Sequence, residues 1–196
     1  MTIVRLPNEE LVIHSMIPCD KATCSEIQEL GEIKYLIAPN LEHTRFIDQW
    51  RQDYPKAIFY APTDELLKKY SPSNQINNIL PFHHDALLCQ PINGIPRLQE
   101  FAFFHTQSQT LILTDLAFNL GGEISLWGKI FLRMNGAYNR FTPTRLLKSL
   151  IKDKAAFSHS IQTIAKWDFQ QIIIAHGKPI TQDARNTFER AYDWVL

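Results

Sequence analysis

The sequence has few cysteines and no long apolar run. Its three cysteines, Cys19, Cys24 and Cys89, are an odd number without a second closely spaced pair, which argues against a disulfide framework or a zinc knuckle. We therefore expect free thiols in a reducing, cytoplasmic setting. No apolar run approaches the roughly 20 residues of a transmembrane helix, and the first residues lack the pattern of a signal peptide. On these grounds we expect no membrane partner.

An excess of charge of either sign is also missing. Twenty basic and twenty acidic residues give a formal net charge of zero, so we expect no nucleic-acid partner. A glycine-rich phosphate loop, a G-x-S-x-G elbow and a dinucleotide fingerprint are all absent from the sequence. With 196 residues, of which 45% are hydrophobic, the sequence predicts one globular domain over residues 1–196.

The early part of the chain predicts a strand, a helix and a second strand. Apolar runs over residues 33–37 and 57–61 are typical of buried strands. Between them, Asn40 is placed to cap a helix, with Glu42 and His43 in its first turn. Parallel strands joined by a helix form a βαβ unit, and functional groups collect where the strands end. Glu42 and His43 are therefore candidate functional residues.

Apolar periodicity predicts the other elements. We expect strands over residues 3–6, 11–15, 98–105, 110–116 and 171–175, and helices over residues 21–30, 64–70, 154–166 and from 181 onward. A further helix has Ile124, Trp127, Ile130, Phe131 and Met134 on one face, and Trp127 is expected in the core or at its rim. Another helix is expected to begin at the N-cap Thr142, and residues 71–81 are expected to form a loop.

Side chains that can bind metal follow three predicted strands. His43 and Glu42 follow the first, Asp115 lies at the end of a middle strand, and His176 follows a late one. Two imidazoles with one or two carboxylates can hold Zn²⁺, Fe²⁺ or Mn²⁺ and leave coordination positions open. Taken singly, each residue has a structural alternative, because histidines and aspartates commonly cap helices or end strands.

The order of these motifs resembles the metallo-β-lactamase fold superfamily, and in particular a branch of unknown function. The matching motifs are His14-Ser15, Pro39-Asn40-Leu41-Glu42-His43, Thr110-Leu111-Ile112-Leu113-Thr114-Asp115 and His176-Gly177. The resemblance covers nearly the whole chain. It implies an α/β fold of the four-layer αββα type, with two mixed sheets, helices outside, and a site along one sheet edge.

The sequence departs from the superfamily at the metal-binding loop, H-x-H-x-D-H, which falls on Ala38, Asn40, Glu42 and His43. Ala38 cannot bind a metal, Asn40 is a poor zinc ligand, and the superfamily's middle histidine has no counterpart near Asn93. One of the two usual sites is thus dismantled. The other keeps its parts, which are His43, Asp115, His176 and, in place of an aspartate, Glu42. We therefore expect at most one divalent ion, zinc or iron, with manganese as a further candidate.

The resemblance implies roles for the polar residues. His43, Asp115 and His176 would be metal ligands, and Asp115 and Glu42 would be catalytic. Glu42 is one methylene longer than aspartate, so the alternatives of ligand, base and helix cap stay open. Asn40 and His105 are candidates to support the site, and for His105 a hydrogen-bonded place in the core is the alternative. His83-His84-Asp85 could replace the lost histidines if its loop folds over the sheet edge. From the residues themselves we expect His14 to bond backbone or Ser15, and His159 to be exposed.

Three functions are compatible with these residues. The first is a mononuclear metal-dependent hydrolase acting on a small-molecule ester, thioester or phosphoester. The second is a catalytically degenerate binding or regulatory module that keeps the fold. The third is a mononuclear iron redox enzyme, since two histidines and a carboxylate also suit iron and oxygen chemistry.

Overall fold

The structure is a computed structural model that describes residues 1–63, 73–75, 85–122 and 125–196. One mixed sheet has the strand order β1-β2-β3-β4-β5. Its strands are β1 (Thr2–Arg5), β2 (Glu10–His14), β3 (Glu32–Ile37), β4 (Ile58–Ala61) and β5 (Ser73–Gln75). β1 and β2 are antiparallel, and β2 to β5 run parallel.

A second mixed sheet has the order β6-β7-β8-β9. Its strands are β6 (Leu87–Pro91), β7 (Phe101–His105), β8 (Thr110–Ile112) and β9 (Gln171–Ile173). β6, β7 and β8 are antiparallel, whereas β8 and β9 run parallel. The carboxyl ends of β8 and β9 therefore lie at the same edge of the sheet.

Helices flank both sheets. They are α1 (Lys21–Glu29), α2 (Ile47–Asp53), α3 (Leu126–Met134), α4 (Arg145–Leu150), α5 (Lys154–Ala165) and α6 (Ala184–Tyr192). Asp20 and Asp153 cap α1 and α5 by accepting hydrogen bonds from backbone amides of the first turns. No helix in the described part of the chain is long and apolar enough to cross a membrane.

Alternation along the strands produces four layers. In β2, Val12 packs with Phe103 of the second sheet, while its neighbours Leu11 and Ile13 pack with Trp50 of α2. Successive strand residues point to opposite faces, so one strand serves both layers. Phe104 of β7 likewise faces away from Val12 and packs against α5 and α6. The arrangement is helix, sheet, sheet, helix, and the predicted αββα sandwich is confirmed.

Several element boundaries differ from the predictions. The helix expected to begin at Asn40 begins at Ile47, so Glu42 and His43 lie in a loop. Thr144, rather than Thr142, caps α4 by accepting a hydrogen bond from the amide of Leu147. Thr142 instead pairs with Phe118 in an isolated β-bridge. Residues 73–75, expected in a loop, pair with β4 as strand β5.

The apolar face predicted on α3 lies outward. Trp127 is 78% exposed, and Leu132 is the buried residue of this helix. The expected free state of the cysteines is confirmed, as is the exposure of His159. The helix predicted over residues 64–70, the remainder of the loop over 71–81, and His83-His84 lie outside the described residues. The assignment of residues 1–196 to one domain stays a prediction.

Candidate metal centre

Three strand ends bring His43, Asp115 and His176 together. His43 lies in the loop after β3, Asp115 follows β8, and His176 follows β9. The candidate ligand atoms of the three side chains all lie within 4.8 Å of one another. The residues that the resemblance assigned as metal ligands therefore form one cluster.

Both histidines present their Nε2 atoms to the Asp115 carboxylate. Nε2 of His176 lies 2.9 Å from one carboxylate oxygen, and Nε2 of His43 lies 3.3 Å from the other. Burial opposes ionisation of Asp115, but hydrogen bonds with His176, His43 and Asn40 outweigh it and hold the pKa of this carboxyl below its ordinary value. The hydrogen bond with Asp115 raises the pKa of His176 in turn. Asp115 is thus the negative centre of the cluster.

The two imidazole rings are held by further contacts. Oγ of Ser15 lies 2.5 Å from Nδ1 of His43. The ring of His176 stacks on Phe118, with a centroid separation of 4.9 Å and an interplanar angle of 7°. A hydrogen bond at Nδ1 fixes the tautomer and orientation of a histidine that binds through Nε2. Ser15 itself is buried and has a φ of 59°, an uncommon conformation for a residue other than glycine.

Asn40 links the loop of His43 to Asp115. Its Oδ1 accepts hydrogen bonds from the backbone amides of Glu42 and His43 at 3.0 and 2.9 Å. Its Nδ2 donates to an oxygen of Asp115 at 2.8 Å. The residue that replaces a superfamily histidine therefore positions both the loop and the carboxylate.

Glu100 is a buried part of the site that the sequence did not reveal. It lies just before β7, is 1% exposed, and accepts hydrogen bonds from the amides of Thr114, Asp115 and Leu116. Burial, reinforced by the negative charge of Asp115, raises the pKa of Glu100. Its only sequence signal is a glutamate between the apolar residues at 98 and 101–104, which also fits a solvent-facing strand residue.

Other predicted residues lie outside the cluster. Glu42 is exposed and lines the same cavity as the three candidate ligands. His105 bonds Oγ of Ser108 at 2.7 Å and lines a different cavity, at the opposite end of β7 from Glu100. Asp85 is an exposed residue outside both cavities.

The expectation that His14 bonds Ser15 is wrong, because the Ser15 hydroxyl lies against His43 instead. His14 is 2% exposed, and neither ring nitrogen has a hydrogen-bond partner among the described residues. Its ring instead packs edge-on against Phe103 at 5.1 Å. Burial, with the nearby His43, lowers the pKa of His14 to about 3. The serine of the His14-Ser15 motif bonds the other histidine because it lies where β2 and β3 end side by side.

A cavity of about 700 Å³ opens over the cluster. Arg45 and Arg97 contribute cationic groups to its lining, and no described acidic residue forms an ion pair with either. Its apolar lining includes Met16, Ile17, Phe46, Leu98, Phe118, Leu146, Leu147 and Leu150. Apolar side chains therefore make up most of the lining.

The cluster fits one divalent ion. Two imidazole nitrogens and one ionised carboxylate are a common donor set for zinc and for non-haem iron, and they leave positions open. The donor atoms are already close together, and an ion of ordinary radius needs only small shifts of these side chains. Among the described residues, this is the one group of His, Cys, Asp or Glu side chains placed to hold an ion.

Comparison of the sequence with models of known families gives no match, and comparison with curated proteins gives none. Comparison with solved structures does. A DIM-1 metallo-β-lactamase superimposes with a TM-score of 0.61 at 15% identity, over 99% of this chain and 86% of the other. The protein has the metallo-β-lactamase fold. The fold expected from the sequence motifs is confirmed.

Two other structures with this fold are described with different metals. The chemotaxis sensor ODP, described as a peroxy diiron species, has a TM-score of 0.62 at 12% identity, over 95% of this chain and 82% of that one. The metallo-β-lactamase FIM-1 from Pseudomonas aeruginosa, in its mono-zinc form, has a TM-score of 0.59 at 14% identity, over 98% and 81%. Sequence identities this low show a similarity of fold alone.

Proposed function

We propose that this protein is a metal-dependent hydrolase in which His43, Asp115 and His176 hold one divalent ion. The observation that carries the proposal is the convergence of these three side chains, within 4.8 Å, on the floor of a largely apolar cavity. A zinc ion bound in such a site lowers the pKa of a coordinated water to about 7 and so supplies a nucleophile at neutral pH.

The surrounding residues prepare the site for this chemistry. Ser15 holds the ring of His43 through Nδ1, so that Nε2 faces Asp115. Asn40 holds the carboxylate of Asp115 through its amide. We assign Glu42, exposed at the cavity, the role of accepting a proton from the attacking water.

The cavity lining narrows the substrate class. Apolar side chains make up most of the lining, while Arg45 and Arg97 provide two cationic groups. We propose an ester, thioester or phosphoester whose apolar body lies against α4 and whose anionic end lies near the arginines. The three free cysteines suit a reducing compartment, and we propose a cytoplasmic location.

The experiment is a substrate panel with a matched pair of histidine variants. Aryl esters, thioesters and phosphoesters with short and long apolar groups are assayed with protein loaded with zinc, manganese or iron. His176→Ala removes a candidate ligand, whereas His159→Ala removes an exposed histidine of α5 that belongs neither to the cluster nor to the cavity lining. We expect activity in the wild type and in His159→Ala, and its loss in His176→Ala. Equal activity in all three proteins would overturn the assignment.

One observation favours a second candidate, a binding module without catalysis. The amide of Asn40 donates to Asp115, and the two histidines satisfy the same carboxylate, so the network is closed without an ion. This candidate predicts no bound metal after reconstitution and a melting temperature indifferent to chelators. If the purified protein contains iron and consumes oxygen, a redox enzyme is favoured instead. The ODP sensor, described as a peroxy diiron species, is an iron protein of this fold.

A further inference from the structure

Helix α3 turns its apolar residues toward solvent. Leu126, Trp127, Phe131 and Met134 are 69, 78, 58 and 67% exposed, and Ile130 is 37% exposed. At 100° per residue these five side chains share an arc of about 140°, which we name the α3 apolar face. Leu132, on the opposite side, is buried and anchors the helix. Exposed apolar faces of this kind mark sites of interaction.

Positive charge accompanies the α3 apolar face. Lys129 and Arg133 fall beside Leu126 on the helical wheel and so border the face. The sequence from Ser125 to Lys152 contains six basic residues and no acidic one, although the whole chain is neutral. These basic residues are Lys129, Arg133, Arg140, Arg145, Lys148 and Lys152. Among the described residues, no ion pair joins Lys129, Arg133 or Arg145 to an acid.

We propose that the α3 apolar face docks on the surface of an anionic lipid bilayer. A helix with tryptophan, phenylalanine and leucine on one side and basic residues beside them inserts its apolar side at the headgroup boundary, while the cations bind anionic lipid. Such a helix needs no apolar run of transmembrane length, so the short elements of this chain are no obstacle. A second copy of the chain is a poorer occupant, because a two-fold contact would bring the same cations together.

Leu146 connects this surface with the cavity. It is 58% exposed at the start of α4 and also lines the cavity over the metal centre. The neighbouring Arg145 donates a hydrogen bond to the carbonyl oxygen of Met134, at the end of α3, at 3.1 Å. Docking through α3 therefore places a cavity-lining residue close to the bilayer side of the protein. The docking proposal itself is independent of the proposed hydrolase activity, since no residue of α3 is among those that line the cavity over the His43, Asp115 and His176 cluster.

Vesicle sedimentation of the whole chain tests the proposal. We expect the protein to sediment with vesicles of phosphatidylcholine containing about 30% phosphatidylserine, and far less with phosphatidylcholine alone. Binding should fall in about 0.5 M salt, because salt screens the cations. Replacing Trp127 and Phe131 together by serine should reduce partitioning by about tenfold or more. Lys129→Glu with Arg133→Glu should abolish the preference for the anionic vesicles.

Control variants distinguish docking through α3 from nonspecific hydrophobic binding and from misfolding. Leu30→Ser removes a 50% exposed leucine at the end of α1 and should leave binding unchanged. Leu30, Trp127, Phe131 and Arg133 are exposed and Lys129 is partly exposed, so the variants should keep a melting temperature close to that of the wild type. Absence of wild-type binding, or unaltered binding by the Trp127 and Phe131 variant, would overturn the proposal. A concentration-dependent dimer that this variant abolishes would also overturn it, in favour of a second copy.

Discussion

Replacing Glu100 is expected to destabilise the protein strongly and to disturb Asp115. The Glu100 carboxylate accepts hydrogen bonds from the amides of Thr114, Asp115 and Leu116 at 2.8, 2.9 and 3.3 Å. Glu100→Ala leaves these amides without an acceptor, and each unsatisfied buried group costs about 1 to 3 kcal/mol. Because such costs are not additive, and water can enter the space left, we expect the free energy of unfolding to fall by about 3 to 5 kcal/mol in total.

Glu100→Gln should have a smaller effect. One carboxylate oxygen accepts hydrogen bonds from the backbone amides of Thr114 and Leu116, and the side-chain oxygen of glutamine can replace it. The other oxygen accepts from the amide of Asp115 and from Asn40, and the glutamine amino group cannot. Relief from burying a charge offsets part of this loss, so we expect a decrease of about 2 kcal/mol.

Urea unfolding followed by circular dichroism measures both changes. Glu26→Ala and Glu26→Gln, on the exposed side of α1, provide matched controls and should change the free energy of unfolding by less than about 0.5 kcal/mol. Zinc affinity of Glu100→Gln should also fall, because the backbone that positions Asp115 loses a restraint. If Glu100→Ala cost less than about 1 kcal/mol, the reasoning from unsatisfied amides would be wrong.

Three further predictions concern the same region. In Gly177→Ala the new Cβ would lie 2.2 Å from the carbonyl oxygen of Asn119 at a φ of +123°, so we expect a loss of about 2 to 4 kcal/mol in urea unfolding. Gly122→Ala, which has positive φ but no atom within 4 Å, should cost only about 1 kcal/mol; equal costs would refute the close-contact explanation. Buried His14, with a pKa of about 3, stays neutral while the unfolded chain takes up a proton. Wild type should therefore lose about 2.5 kcal/mol more stability than His14→Phe between about pH 7 and about pH 4.5, and parallel pH profiles would contradict this. Removing the ion with a chelator should lower the melting temperature by about 5 to 10 °C if the ion is present at about 100 times its dissociation constant, and an unchanged melting curve would argue against a bound ion.

Much of the fold could be predicted from sequence because its strands carry strong local signals. The apolar runs that became β3 and β4 lie within one residue of their predicted bounds. Both faces of these strands are covered, one by the other sheet and one by helices, so the sequence is apolar without interruption over residues 35–37 of β3 and throughout β4. Both faces of β2 are covered too, so its sequence does not alternate between apolar and polar residues. The four layers therefore follow from the resemblance to a known fold and not from hydrophobic periodicity.

Local signals failed where tertiary contacts decide the structure. Asn40 was expected to cap a helix, and its side chain does accept two backbone amides, but they belong to a loop stabilised by the bond to Asp115. The apolar residues of α3 do lie on one side of the helix, as the periodicity predicts. Periodicity does not show whether that side faces the core or the solvent. Glu100 is satisfied by backbone amides that are remote in sequence, and no local pattern predicts such a contact.

The central claim is that His43, Asp115 and His176 bind a single divalent ion. Elemental analysis tests it most directly, on protein purified without chelator or immobilised nickel and then reconstituted with zinc, manganese or iron. We predict one equivalent of metal in the wild type and in His159→Ala, and its loss in His43→Ala and His176→Ala. No metal in the reconstituted wild type, or a full equivalent in His176→Ala, would contradict the assignment.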